Sequence, residues 1–198
     1  MQLRAQKTRE AILTAGMRLF SSCGFSGTAV DAVAADAGVN KQRIYAYFGS
    51  KQGLFEAVLT EALGNRDGIL CPEKSLQEAG AHPERLTEIL LEAFWKQHDA
   101  HPEFWRLLAW ANLENDIDLD KLSGVRFKDN ALMRKAFEKA QAAGFFKDID
   151  FENYLFSLFA LTFFYVANKR TLRYTLGGKL FDADGFETLR RQLPKLFR

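Results

Sequence analysis

Lys41, Gln42, Arg43, Tyr45, Tyr47 and Lys51 fall within eleven consecutive residues, and no acid interrupts them. Lysine and arginine neutralise phosphate, glutamine and lysine reach base edges, and tyrosine offers a ring together with a hydroxyl. Such a window is built to hold a nucleic acid. Just upstream, Thr28 stands where a short helix should begin, so its hydroxyl and the neighbouring free amides could add a phosphate contact.

Apolar spacing supplies the elements that must position these side chains. Val30, Val33, Ala34 and Ala37 repeat at helical intervals, Gly38-Val39 interrupts, and Ile44, Tyr45 and Phe48 resume the pattern. Two short helices joined around a glycine predict a helix-turn-helix, whose second helix enters a DNA major groove. Val33, Ala37, Val39, Ile44 and Phe48 form its expected core, and Gly38 its turn. A first helix over about Lys7 to Cys23 buries Ala11, Ile12, Ala15, Leu19 and Phe20, and Gly24 ends it. Thr28 caps the second helix, with Asp31 completing a capping-box-like pair. The third helix spans Lys41 to Phe48. Ser50 caps a fourth, which starts near Lys51 and carries Leu54, Phe55, Val58, Leu59 and Leu63.

The stretch resembles the N-terminal DNA-binding domain of the TetR family of bacterial transcriptional regulators. The resemblance is carried by Gly24-Phe25, Thr28, Val33-Ala34, Ala37-Gly38-Val39, Lys41, Ile44-Tyr45, Tyr47-Phe48, Ser50-Lys51 and Leu54. It implies base-edge contacts by Lys41 and Gln42 and phosphate contacts by Tyr47 and Lys51, with Tyr45 both packing and reaching DNA. Gln42 and Arg43 depart from the small residues common there, so the operator sequence does not carry over from relatives.

Beyond residue 51 the helical period continues, with no alternating strand pattern. Gly64 to Ala81, polar and broken by Pro72 and Gly80, reads as a frayed helix end and a loop. Pro83 and Pro102 each open a helix, running to Ala100 and to about Asn115. A loop to Gly124, a helix over about Val125 to Ala143, a long helix capped by Asp150 and a last helix from Gly185 to Leu196 complete the chain. The long helix carries Phe156, Leu158, Phe159, Leu161, Phe163, Phe164 and Val166, apolar on every side, so it must be covered on several sides. The expected fold is all-α with about nine helices. A DNA-binding domain over 1–50 precedes a ligand-binding and dimerisation domain over 51–198.

Charge follows the same division. Through Lys51 the chain has seven Lys/Arg against three acids, a net +4, on a total of +2, which leaves −2 for the body. The body is rich in aromatics, and the family resemblance implies a ligand cavity there. Its expected lining is Trp95, Trp105, Trp110, Phe159 and Phe163, with Asn112 and Glu114 as polar groups beside an apolar pocket. The resemblance also implies a homodimer, paired through the Phe151–Thr171 helix and the last helix. Two-fold pairing suits a pseudo-palindromic site.

Other chemistry finds less support. Asp116, Asp118 and Asp120 alternate like the start of a calcium loop, but Lys121 and Phe127 stand where that loop needs glycine and glutamate. His98 and His101 lack further ligands at zinc spacing, and Cys23 and Cys71 are too far apart for a CxxC site. No nucleophile elbow, P-loop or dinucleotide fingerprint occurs, so neither a catalytic cluster nor a cofactor is expected. Arg4, Lys7, Arg9 and Glu10 precede any apolar run, and the most apolar stretch, Tyr154 to Ala167, falls short of the roughly 20 residues a membrane span needs. A cytoplasmic location follows, with double-stranded DNA and a small-molecule effector as partners. The resulting reading is a repressor that binds its operator as a homodimer and is released by the effector, with the fourth helix (about Lys51 to Leu63) carrying the displacement. An activator, or a DNA-binding protein without an effector, is the alternative.

Overall fold

The computed structural model describes residues 2–64, 71–114 and 128–197, and within them every regular element is helical. In chain order these are α1 (Gln2–Gly27), α2 (Val30–Asp36), α3 (Lys41–Phe48), α4 (Lys51–Gly64) and α5 (Glu73–Ala81). There follow α6 (Leu86–Ala100), α7 (Pro102–Leu113), α8 (Lys128–Ala142), α9 (Phe151–Leu176) and α10 (Ala183–Gln192), with 3-10 turns at Pro83–Arg85, Gly178–Phe181 and Leu193–Phe197. The described residues thus hold ten α-helices where about nine were expected. The addition is α5. Pro72 stands at its N-cap position and Glu73 in its first turn, while Leu76 and Ala79 provide a narrow buried stripe in an otherwise polar segment. The loop expected at Asn115 to Gly124 lies outside the described residues.

The chain gathers into two compact units, Met1–Arg66 with His101–Arg126 and Asp67–Ala100 with Phe127–Arg198. In the first unit, α4 and α7 pack with the three N-terminal helices. Ile12, Leu13, Ala15 and Phe20 of α1 are buried with Val30, Val33 and Ala34 of α2, Ile44 of α3, Leu54, Phe55, Val58, Leu59 and Ala62 of α4, and Phe104, Trp105, Leu107 and Ala111 of α7. The Phe20 and Phe55 rings meet edge to face, 4.9 Å between centroids. Ala11 is exposed, and Leu19, Ala37, Val39 and Phe48 are half-buried, so the true core is narrower than the apolar pattern predicts. The first helix also runs past its expected end at Cys23. It breaks at Gly24, with φ 73° and ψ 178°, and resumes as far as Gly27.

The second unit is organised around α6 and α9. Tyr154 of α9 is buried, and its hydroxyl lies 2.9 Å from that of Thr87 on α6. Its ring packs on Phe137 and Phe146, at 4.9 and 5.0 Å. Burial pushes the Tyr154 phenol above its ordinary range, so the hydroxyl stays neutral and serves the hydrogen bond. Asp150 caps α9, accepting from the Asn153 amide at 3.0 Å. Along α9, Phe151, Tyr154, Leu155, Leu158 and Thr162 make one buried stripe, and Phe156 and Phe164 stand 72% and 56% exposed on other sides. Gly177, at φ 82°, ends the helix.

Candidate nucleic-acid interface

Three features build the motif locally. Gly38, at φ 65°, takes the left-handed turn between α2 and α3, a conformation that costs glycine little. Asn40 then caps α3, its side chain accepting from the Arg43 amide at 2.9 Å. Ile44 is fully buried and fastens α3 to the core. The signal for this cap lies in the sequence, since asparagine directly before a helical run is itself a capping residue. At the far end Ser50 starts α4 as expected, its hydroxyl accepting from the Gly53 amide at 2.9 Å.

With Ile44 turned inward, Gln42, Arg43, Tyr45, Ala46 and Tyr47 are all exposed on α3. Their neighbours hold some of the expected DNA contacts in place. The Lys41 ammonium donates to Asp31 of α2 at 2.8 Å, and this bond holds its pKa above the usual lysine value. The Tyr47 hydroxyl donates to the Ala5 carbonyl at 3.1 Å, tying α3 to the first turns of α1. The Lys51 ammonium rests 4.5 Å above the centre of the Phe25 ring. Arg18 pairs with Asp36 at the end of α2.

Thr28 is placed differently from the expectation. It is 4% exposed, and its hydroxyl lies 2.7 Å from the Gly24 carbonyl and 3.2 Å from that of Leu19. Ala29 occupies the N-cap position of α2, with no side-chain cap. The Thr28 side chain therefore closes the junction between α1 and α2 instead of capping α2 or presenting a donor outward. The reason is the break at Gly24, which turns a carbonyl toward it.

The residues expected around a ligand belong to both units. Trp105, Trp110, Asn112 and Glu114 lie in the first, on or just after α7. Trp110 packs against Gly24, Glu114 accepts from Ser26, and the Asn112 side chain donates to the Leu108 carbonyl at 2.9 Å. Trp95, Phe159 and Phe163 lie in the second unit, amid other rings. Phe159 stacks on Phe94 at 4.8 Å, Phe163 on His98 at 6.1 Å, and Trp95 meets Phe186 edge to face at 5.5 Å. His98 is 2% exposed, and burial lowers its pKa to about 4, so it is neutral at physiological pH. Among the described residues no group of three or more His, Cys, Asp or Glu is placed to hold a metal ion. No described helix is long and apolar enough to cross a membrane.

A short helix, a glycine turn and a capped second helix with an acid-free outer face define a helix-turn-helix DNA-binding protein. Residues 12–58 match the family described as bacterial regulatory proteins, tetR family, and residues 83–196 match the tetracyclin repressor-like C-terminal domain. The chain belongs to the tetR family. It is 32% identical to the HTH-type transcriptional repressor NicS of Pseudomonas putida, over 90% of this chain and 85% of that protein. It is 30% identical to the HTH-type transcriptional repressor SCO4008 of Streptomyces coelicolor, over 98% of this chain and 94% of that one. Among solved structures, the putative transcriptional regulator SCO4942 of Streptomyces coelicolor shares the fold at a TM-score of 0.62 and 24% identity, covering 94% of this chain and 93% of its own. The relatives are named as transcriptional regulators, and DNA-binding transcription regulation is the class in which this chain falls.

Proposed function

We propose that the protein is a repressor that binds a pseudo-palindromic operator as a homodimer and is released by a small molecule. The observation that carries this reading is the outer face of α3, where Gln42, Arg43, Tyr45 and Tyr47 are exposed beside Lys41 and Lys51 with no acid on the helix. Gln42 and Lys41 read base edges, while Tyr47 and Lys51 hold phosphate; Arg43 and Tyr45 serve either. One α3 of eight residues covers few base pairs, and two-fold pairing doubles the contact. The exposed rings of Phe156 and Phe164 on α9 support that helix, with α10, as the pairing surface.

The effector site is assigned to the aromatic layer of the second unit, around Trp95, Phe159 and Phe163. Trp95 is buried and its indole nitrogen has no acceptor among the described residues, a donor that a ligand's polar atom would satisfy. Binding there favours a conformer whose recognition helices are wrongly spaced for successive major grooves. Such coupling is typically about 1–3 kcal/mol, and it is reciprocal between ligand and DNA.

Selection of duplexes from a random pool by the purified protein tests the reading. The expected result is enrichment of a pseudo-palindrome. Gln42→Ala should relax preference at particular positions, and Lys51→Ala should weaken binding on all sequences about equally. A pool with no enriched sequence, or enrichment unchanged by Gln42→Ala, would remove α3 from the base-reading role.

A further inference from the structure

The junction between α1 and α2 is held from one side by α7. A Cβ built on Gly24 would lie 2.8 Å from Cε3 and 2.9 Å from Cδ2 of Trp110, so the indole covers this glycine in direct contact. Gly24 also sits at φ 73°, where side chains other than glycine are strained. Two residues on, the Ser26 amide and hydroxyl each donate to the Glu114 carboxylate at 3.4 Å. Thr28 closes the same turn from inside, through the Gly24 carbonyl. The whole passage from α1 to α2 is therefore clasped between the α1 backbone and the end of α7.

That passage also sets groups assigned to DNA. The backbone angles at Gly24 determine where the next residue, Phe25, points, and its ring packs edge to face on Phe55 at 5.4 Å. The Lys51 ammonium stands over that same ring. On the other side of Thr28, α2 begins at Val30 and α3 follows it after a four-residue turn. A displacement of Trp110 thus reaches Lys51 through Gly24 and Phe25, and reaches α3 through α2.

We propose that Trp110 and Glu114 are positioning residues for operator binding: they fix the angle at which the helix-turn-helix leaves α1 and the seat of Lys51. The inference rests on the DNA-binding reading above. It assigns a role that contact with DNA does not require, since both side chains act through the Gly24–Ser26 backbone.

The test uses the full chain and the operator obtained by selection, with companions whose half-sites are one base pair closer or farther apart. Trp110→Ala and Glu114→Ala should each lower operator affinity, by about tenfold for the tryptophan, and flatten the preference for the native spacing. Trp110→Phe, which keeps a flat ring over Gly24, should restore most of the affinity. Gly24→Ala should bind poorly, and Gly24→Ala combined with Trp110→Ala should bind better than the two losses together imply, because the collision has been removed. Melting temperatures are measured on every variant. Losses of affinity that follow melting temperature alone, with the spacing preference unchanged and Trp110→Phe no better than Trp110→Ala, would reduce the pair to ordinary packing and overturn the proposal. Should Trp110→Ala fail to fold, Glu114→Ala and Trp110→Phe decide the matter, since wild-type affinity and spacing preference in Glu114→Ala overturn it as well. Failure of the wild type to hold any duplex sinks the DNA-binding reading itself, whereas tight wild-type binding with indifferent variants sinks this inference only.

Discussion

Acidification should unfold this protein in part through one histidine. His98 on α6 is 2% exposed, and burial lowers its pKa to about 4 from the ordinary imidazole value of 6.5. In the unfolded chain the imidazole meets water and takes a proton as the pH drops below about 6.5, while the folded chain refuses it until about pH 4. The sign follows: stability from the neutral ring is complete above 6.5 and is lost as pH falls toward 4. Each pKa unit is worth about 1.4 kcal/mol, so the full loss is about 3 kcal/mol, of which about 2 kcal/mol is gone by pH 5. Against the 5–15 kcal/mol typical of a folded domain, roughly a fifth or more would vanish. Urea unfolding at a series of pH values, on the wild type and on His98→Phe, isolates the term, because other titrating groups contribute to both slopes alike. The wild type should lose stability more steeply between about pH 6.5 and 4. Parallel slopes, or an NMR titration of the His98 ring with a midpoint near 6.5, would refute the reasoning.

Three further outcomes are expected. Tyr154→Phe should cost about 1–3 kcal/mol by leaving the buried Thr87 hydroxyl without its partner, and adding Thr87→Val should cost less than the sum of the singles in a denaturation cycle. Asn40→Ala removes the cap of α3 and should lower stability by about 1 kcal/mol, read by thermal melting, with a weakened hold on operator DNA. Phe164→Glu places a charge on the proposed pairing face, and burial of an unpaired charge costs several kcal/mol; sedimentation should find monomer, and a fully dimeric variant would move the interface elsewhere.

What was legible in the sequence was local. Lys41 to Phe48 emerges as a helix with the bounds read from its apolar spacing, Gly38 makes the turn, and Ser50 and Asp150 cap the helices they precede. Each is settled by a few neighbouring residues. The second helix starts differently because threonine's capping chemistry competes with burial: with Gly24 bent, the Thr28 hydroxyl finds backbone carbonyls and Ala29 takes the cap position. The polar α5 is hard to tell from a loop in the sequence because only Leu76 and Ala79 mark its buried side. Residue types alone single out the outer face of α3, where Gln42, Arg43, Tyr45 and Tyr47 are exposed. They do not give the partners that hold it, since Tyr47 with Ala5, Lys51 with Phe25 and Trp110 with Gly24 join residues far apart in sequence. Trp110 drew notice as an aromatic beside polar neighbours, which is as true of a clasp as of a pocket wall.

The bond between Lys41 and Asp31 has a consequence for how the protein responds to its ionic surroundings. A lysine displaces condensed counterions from DNA in proportion to the charge it brings, and Lys41 already has an acid as its partner. If the pair persists in the complex, Lys41 adds little to the dependence of affinity on salt. If a phosphate or a base draws the ammonium away, Asp31 is left facing the polyanion, and binding pays for that exposed carboxylate. Either way the salt dependence of operator binding should be shallower than the number of basic residues on this face implies. On the reading proposed for α3, the acid should make the lysine selective, since it gives up its intramolecular partner only where a duplex offers an acceptor good enough to replace it.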